Sequence, residues 1–362
     1  MEKTMKAVVY KGKGQVVLED RPIPVIQDPR DAIVRVTRST ICSSDLHIKH
    51  GTVPRAKENT VLGHEFVGEV VEVGSAVKKF KAGDRVSVNV ETFCGECFFC
   101  KRGYVNNCVE GGWELGCRID GCQAEYVRVP IADNGMTPIP DDVSDEAALF
   151  NGDILATGYW AASIGEIKPA DTVVVLGAGP TGLCTLMSIR LYSPAKVIVV
   201  DVSEERMALA KEQGLADICL NPTKVDVEAE VLRLTDGRGA DRVFEVAGGE
   251  NTFQLAWKVA RPNAIVVLVA LYAKEQALPL HLMYGKNLTF KTGGVDANCC
   301  EDIMKMIQCG KIDTSCLITH RAPLNDVMEG YRVFENKIGM SFGAFPKKKS
   351  LRNGLFFFRR NL

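Results

Sequence analysis

Residues Thr172–Gly182 read TVVVLGAGPTG. A short apolar run rich in valine is the signature of a buried strand, and it stops at a glycine. Gly177, Gly179 and Gly182 then fall in G-x-G-x-x-G spacing, where a helical pattern begins. In that context the first glycine permits a tight turn and the second lets backbone approach a pyrophosphate. The third lets helix pack on strand, and the helix N-terminus faces the phosphates. Pro180 and Thr181 complete the predicted phosphate cradle. The next strand, KVIVVD, ends in Asp201, 19 residues after Gly182. An acid there accepts hydrogen bonds from the ribose 2′-hydroxyl of NAD and repels a 2′-phosphate, which predicts NAD over NADP. Arg206, five residues on, partly offsets that repulsion.

Around this turn the sequence alternates strand and helix. TVVVLG is followed by a helix over 181–192, KVIVVD by a helix over 204–213, and DRVFEV by a helix near 251–260. The apolar run AIVVLVALYA, Ala264–Ala273, reads as a further buried strand and its continuation, being about half as long as a membrane span requires. Such alternation predicts a doubly wound parallel sheet covered by helices on both faces. Before about residue 130 the rhythm differs: MKAVVY, QVVLED, DAIVRVTRSTI, EFVGEVVEVG, DRVSVNV and QAEYVRV are short β-rich runs punctuated by Gly, Pro and Asp. They predict an antiparallel, partly barrel-like domain, with the boundary between the two patterns inside 151–170.

A length of 362 residues accommodates two such domains. The chain is 46% hydrophobic and 25% charged, the composition of a soluble globular protein. Its formal net charge of −1 gives no reason to expect a nucleic-acid partner. That balance is uneven, however. Residues 347–362 hold three Lys, three Arg and no acid, leaving 1–346 at −7. The opening MEKTMKAVVYKGKG has no apolar run of signal-peptide length, so the expected compartment is the cytoplasm, with no membrane partner.

In a reducing compartment thirteen cysteines point to metal binding rather than to a disulfide framework. Cys94, Cys97, Cys100 and Cys108 form C-x2-C-x2-C-x7-C, which suits a closed structural zinc site. Iron–sulfur runs that open the same way continue with a three-residue gap and Cys-Pro; here the gap is seven and Val109 follows. Three further segments carry metal-capable groups: TICSSDLHIKH with Cys42 and His47, VLGHEFVGEVVEVG with His64 and Glu65, and NGDILATGYW with Asp153. A thiolate, an imidazole and a carboxylate leave a fourth position free, the pattern of a catalytic zinc. Spacing alone does not make these segments converge. Cys42 also reads as a core thiol, His64 as a satisfied histidine and Asp153 as a cap.

Cys42-Ser43-Ser44-Asp45-x-His47, Gly63-His64-Glu65-x-x-Gly68, Gly83-Asp84-Arg85-Val86, the four-cysteine lobe and the glycine turn stand in the order seen in zinc-dependent medium-chain alcohol dehydrogenases, and from about Met5 to residue 340 the chain resembles that family. The resemblance implies an α/β protein with a GroES-like β-rich catalytic domain over 1–154 and 297–346, a Rossmann domain over 155–296, and a basic tail over 347–362. It implies catalytic zinc on Cys42, His64 and Asp153, with Glu65 nearby and able to exchange onto the metal, a second structural zinc, and a proton relay from Ser44 towards His47. Thr157 is expected near the nicotinamide. Asp153 with Thr157-Gly158, and Gly112-Trp113, look most like the secondary-alcohol dehydrogenase branch. There Trp113, with Leu271 and Tyr272, would form an aromatic, apolar substrate wall. Well-known bacterial members of that branch prefer NADP and lack the cysteine lobe, so the likeness is not complete. The expected function is hydride transfer between NAD(H) and a secondary alcohol or ketone, with substrate size left open up to a steroid or terpenoid, by a homodimer or homotetramer. Polyol (sorbitol-type) and threonine 3-dehydrogenases share the zinc segments, and a catalytically decayed nucleotide-binding protein is the alternative from another class.

Overall fold

The computed structural model describes residues 3–336 and, as backbone, 341–345. The basic run 347–362 lies outside the described residues. The chain divides into two units, one formed by the part up to Ala156 together with the part from Asp296 onward, the other by Thr157–Val295.

In Thr157–Val295, six parallel strands run in the order Ile218–Leu220, Lys196–Val200, Thr172–Leu176, Ala240–Glu245, Ala260–Leu268, Thr289–Thr292. Val173, Val174 and Val175 are fully buried, as a strand covered on both faces requires. The order reverses beside Thr172–Leu176, so the turn that follows it sits at the topological switch point where such sheets bind ligands. The three expected helices form, as Pro180–Arg190, Glu204–Glu212 and Thr252–Val259. A fourth, Val227–Leu234, and the short strands Ile218–Leu220 and Thr289–Thr292 had no clear pattern in the sequence. The strand expected from Ala264 begins earlier, at Ala260, and stops at Leu268. The N–H groups of Val269 and Ala270 then both bond to the Glu245 carbonyl, which turns the chain out of the ladder before Leu271.

The β-rich unit is organised around Ala32–Ile41. This strand pairs antiparallel with Phe66–Val73, Tyr126–Val129 and Ser341–Phe345, and the last of these pairs parallel with Ile318–Pro323. Arg85–Val88 and Met136–Pro138 extend the sheet beyond Phe66–Val73, and Thr4–Gly12 pairs separately with Gln15–Pro22 and Thr60–Val61. Val34, Phe66, Val86, Leu115 and Val127 form its core. Register positions the chemistry: Ser39 lies opposite Phe66, so the segment leaving one strand at Cys42 and the segment entering the other at His64 emerge side by side. Glu91–Thr92 pairs with Gly112–Trp113, which closes the loop holding the four clustered cysteines. Among the described residues no helix is long and apolar enough to cross a membrane.

Candidate functional site

Cys42, His64 and Asp153, far apart in sequence, offer ligand atoms that all lie within 4.8 Å of one another. Cys42 caps the helix Ser43–Lys49, with its N–H donating to Asp45 Oδ2 at 2.8 Å. Asp153 sits just before the helix Ile154–Ile164, in a segment anchored by the Val90 N–H on the Gly152 carbonyl at 2.9 Å. His64 Nε2 stands 3.2 Å from Asp153 Oδ2, yet that buried oxygen has no hydrogen-bond partner among the described residues. The two atoms are thus close without a hydrogen bond between them, which suits two ligands of one ion.

The electrostatics carry the same message. Burial, then the neighbouring Asp153, pushes the Cys42 thiol up to about 11. Burial also raises Asp45 and Glu65, with repulsion from Asp153 adding to both. Burial opposes a charge on His64, but Asp153 and Asp45 overcome it and raise its pKa well above the ordinary value. Surroundings that disfavour ionising the Cys42 thiol and the Asp45 and Glu65 carboxyls become favourable once a divalent cation stands among them. With one thiolate, one imidazole and one carboxylate, the donor set fits zinc with an open position.

Supporting groups fix the ligands. On the other side of the His64 ring, Nδ1 faces Asp45 Oδ1 at 3.6 Å. Asp45 is held by Gln123 Nε2 at 3.0 Å, and Gln123 Oε1 accepts from the Tyr331 hydroxyl at 2.7 Å. Sequence reading assigned no role to Asp45, Gln123 or Tyr331. Glu65 accepts from Thr40 Oγ1 at 2.6 Å and from the Ile154 N–H at 3.0 Å, so its carboxylate braces the segment after Asp153. Ser44 Oγ lies 3.4 Å from Cys42 Sγ, and His47 Nδ1 pairs with Thr52 Oγ1 at 3.0 Å.

Trp113 is buried, its ring edge-to-face with His64 at 5.3 Å and its Nε1 donating to the Leu115 carbonyl. Charged groups as well as apolar ones surround this ring. Glu91 stands opposite Trp113 in the strand pair, and the Arg55 guanidinium lies 5.1 Å above the indole centroid. Glu91 escaped the sequence reading because it sits in the strand-like run VSVNVET with no metal spacing. In the other unit, Leu271 is exposed, whereas Tyr272 packs beside the cluster of Phe253, Trp257 and Met283 and donates its hydroxyl to Glu245.

Cys94, Cys97, Cys100 and Cys108 likewise bring their sulfurs within 4.8 Å of one another. Backbone N–H groups point at these sulfurs, Cys94 N at Cys108, Cys97 N at Cys94 and Glu110 N at Cys108, over 3.2–3.4 Å. Such donors stabilise thiolates: the Cys100 N–H, 3.5 Å from Cys97 Sγ, and then the Val109 N–H draw the Cys97 thiol down to about 6. Cys117 and Cys122, by contrast, are buried outside this group.

At the glycine turn, Gly177 has φ +108°, open to glycine at little cost, and Pro180 opens the helix behind Gly179. A Cβ on Gly182 would stand 2.1 Å from the Gly177 carbonyl oxygen, so only glycine allows this helix-to-strand approach. Thr181 lies in the first turn of the same helix. Asp201 Oδ2 accepts from the Ala178 N–H at 2.7 Å and Oδ1 from the Ser203 N–H at 2.8 Å, which ties the acid to the turn. An Arg206 guanidinium nitrogen lies 3.6 Å from where a Gly179 Cβ would be. Thr157 is half-buried in the helix Ile154–Ile164.

A parallel sheet with a glycine-rich turn at its switch point, carried in one chain with three convergent zinc-type donors on a β-rich unit, is the arrangement expected of a metal-dependent, dinucleotide-using dehydrogenase. Comparison with known proteins narrows this class. The family model for the alcohol dehydrogenase GroES-like domain matches residues 28–141, and that for the zinc-binding dehydrogenase matches residues 180–308. An alcohol dehydrogenase of Cupriavidus necator is 35% identical over 364 residues, covering 93% of this chain and 97% of its own. The solved zinc dependent alcohol dehydrogenase 2 from Streptococcus pneumonia matches with a TM-score of 0.90 at 36% identity, over 96% of this chain and all of that one. A relative named Probable D-xylulose reductase A, from Arthroderma otae, is 35% identical over 290 residues, 78% of this chain and 80% of its own. The chain belongs to the zinc-dependent medium-chain alcohol dehydrogenase family.

Proposed function

We propose that the protein transfers a hydride between NAD(H) and a secondary alcohol or ketone, with catalytic zinc held by Cys42, His64 and Asp153 and structural zinc by Cys94, Cys97, Cys100 and Cys108. The observation that carries this reading is the convergence of the three unlike donors within 4.8 Å, with a buried Asp153 oxygen left without a hydrogen-bond partner. Bound zinc supplies Lewis acidity towards the substrate oxygen, and the nicotinamide supplies the hydride acceptor. The chain does the rest. Asp45 orients His64 from behind, and Glu65 holds the backbone that follows Asp153. Ser44 Oγ, beside Cys42, would accept the alcohol proton as it gives up its own, which passes towards His47 on the same helix. Gly177, Gly179 and Gly182, with Pro180 and Thr181, hold the pyrophosphate, and Asp201 favours the unphosphorylated ribose.

Pure protein assayed with secondary alcohols, polyols and threonine, plus NAD or NADP, is expected to reduce NAD with a secondary alcohol. No turnover of any alcohol by protein holding about two zinc ions per chain would sink the reading. A polyol substrate is the second reading. It is favoured by the charged groups around Trp113 and by the relative named as a D-xylulose reductase.

A further inference from the structure

One buried carboxyl beside the metal-site residues has no part in the reaction proposed above. Glu91 lies directly opposite Trp113 in an antiparallel pair, so their side chains leave the same face of the ladder. Trp113 in turn meets His64 edge-to-face at 5.3 Å. Glu91 also lies within electrostatic reach of Asp153 and His64. It therefore stands one aromatic ring away from a candidate metal ligand.

The residue is 3% exposed, and its Oε2 has no hydrogen-bond partner among the described residues. A buried carboxyl oxygen left unpaired forfeits a hydrogen bond that water would have made, and such groups in native proteins usually answer to a ligand or a function. Arg55, the cation within reach, places its guanidinium over the Trp113 ring. Gly112 adds no obstruction, because even a Cβ there would stand 3.8 Å from Oε2.

We propose that Glu91 is a specificity-determining residue whose carboxyl hydrogen-bonds a second hydroxyl next to the reacting carbinol, making vicinal diols and polyols the preferred substrates over simple secondary alcohols. This assignment rests on the hydride-transfer reading above and gives it a substrate class. A hydroxyl both donates and accepts, so it pairs with the carboxyl in either protonation state. An ammonium group, by contrast, pairs well only with the ionised form, which burial disfavours here.

The test is kcat/KM with NAD for 2,3-butanediol, 2-butanol and 3-amino-2-butanol, in zinc-loaded wild type, Glu91→Leu and Glu91→Gln. Wild type is expected to prefer the diol to the mono-alcohol by about 10- to 100-fold, the range of one hydrogen bond to a buried acid. In Glu91→Leu that ratio falls towards unity, chiefly through a higher KM for the diol, whereas Glu91→Gln keeps part of it. General damage to the fold would lower both rates and leave the ratio standing. A wild-type ratio near one, an unchanged ratio in Glu91→Leu, or a preference for the amino alcohol over the diol would each overturn the assignment. The wild-type ratio decides even if the leucine variant does not fold. Failure to oxidise any of the three overturns the hydride-transfer reading itself, a different result from turnover without preference.

Discussion

Asp45 Oδ1 faces His64 Nδ1 at 3.6 Å, while Asp153 approaches the same ring at Nε2. The imidazole thus has a carboxylate facing each ring nitrogen, and a proton on Nδ1, towards Asp45, leaves Nε2 free as a ligand. Asp45→Asn keeps the shape and removes the charge behind the ring. It is expected to weaken zinc affinity by about 10- to 100-fold. Competition with a chromogenic chelator measures this, and unchanged affinity would show that Asp45 serves only as a helix cap.

The two proposed zinc sites differ in what their loss costs. Cys42→Ser is expected to abolish turnover and remove one zinc per chain, because a three-ligand site cannot spare its thiolate. Cys97→Ser is expected to act mainly on stability, since the cysteine lobe has little apolar core to hold it once the metal leaves. Metal analysis with thermal unfolding separates the two. Full turnover in Cys42→Ser would show the ligand assignment to be wrong.

Glu91 also predicts a pH dependence of stability. Burial raises its carboxyl to about 8 from the usual 4.5, so the native state binds that proton more tightly than the unfolded chain does. This contribution is complete below 4.5 and is lost as pH rises through about 8. Glu91→Gln does not titrate. Its stability relative to wild type should therefore improve with rising pH, by on the order of 1–3 kcal/mol across the window. Urea unfolding at about pH 5 and about pH 8.5 checks it, and an equal offset at both values would contradict it.

Asp201 bears on cofactor choice. Asp201→Ser removes the negative charge at the ribose position while Arg206 stays beside the turn. The NADP-to-NAD ratio of kcat/KM is expected to rise by about tenfold or more. Some loss with both cofactors should accompany it, because the hydrogen bond to the Ala178 N–H is given up as well. A ratio that stays fixed would place the discrimination elsewhere.

The legible parts of the molecule were the local ones. Gly177, Gly179, Gly182 and Asp201 share one strand–turn–helix–strand unit, so their spacing encodes their geometry. For Cys42, His64 and Asp153 the residue types were legible, but their meeting was expected only from the family resemblance and not from their spacing. It depends on the register that sets Ser39 against Phe66, a relation between strands and not within one. Gln123 and Tyr331 are 208 residues apart and bonded only through tertiary packing, which leaves no periodic trace. Glu91 was hidden differently. In the run VSVNVET a carboxylate reads as the solvent side of a strand, and only the strand pairing with Trp113 shows it facing inwards.

The line that is hydrogen-bonded from Tyr331 through Gln123 to Asp45, whose Oδ1 faces His64 Nδ1 at 3.6 Å, has a consequence for biosynthesis. A ribosome delivers His64 long before Tyr331, which lies in the helix Val327–Glu335 near the end of the described chain. Until that helix docks, Gln123 lacks one of its anchors and the histidine is less firmly oriented. Productive loading of the Cys42 site is therefore expected late, after most of the chain has left the ribosome. The four-cysteine loop, whose closing strand pair is complete by Trp113, has no such wait, and a metal at the proposed second site is expected to bind during synthesis.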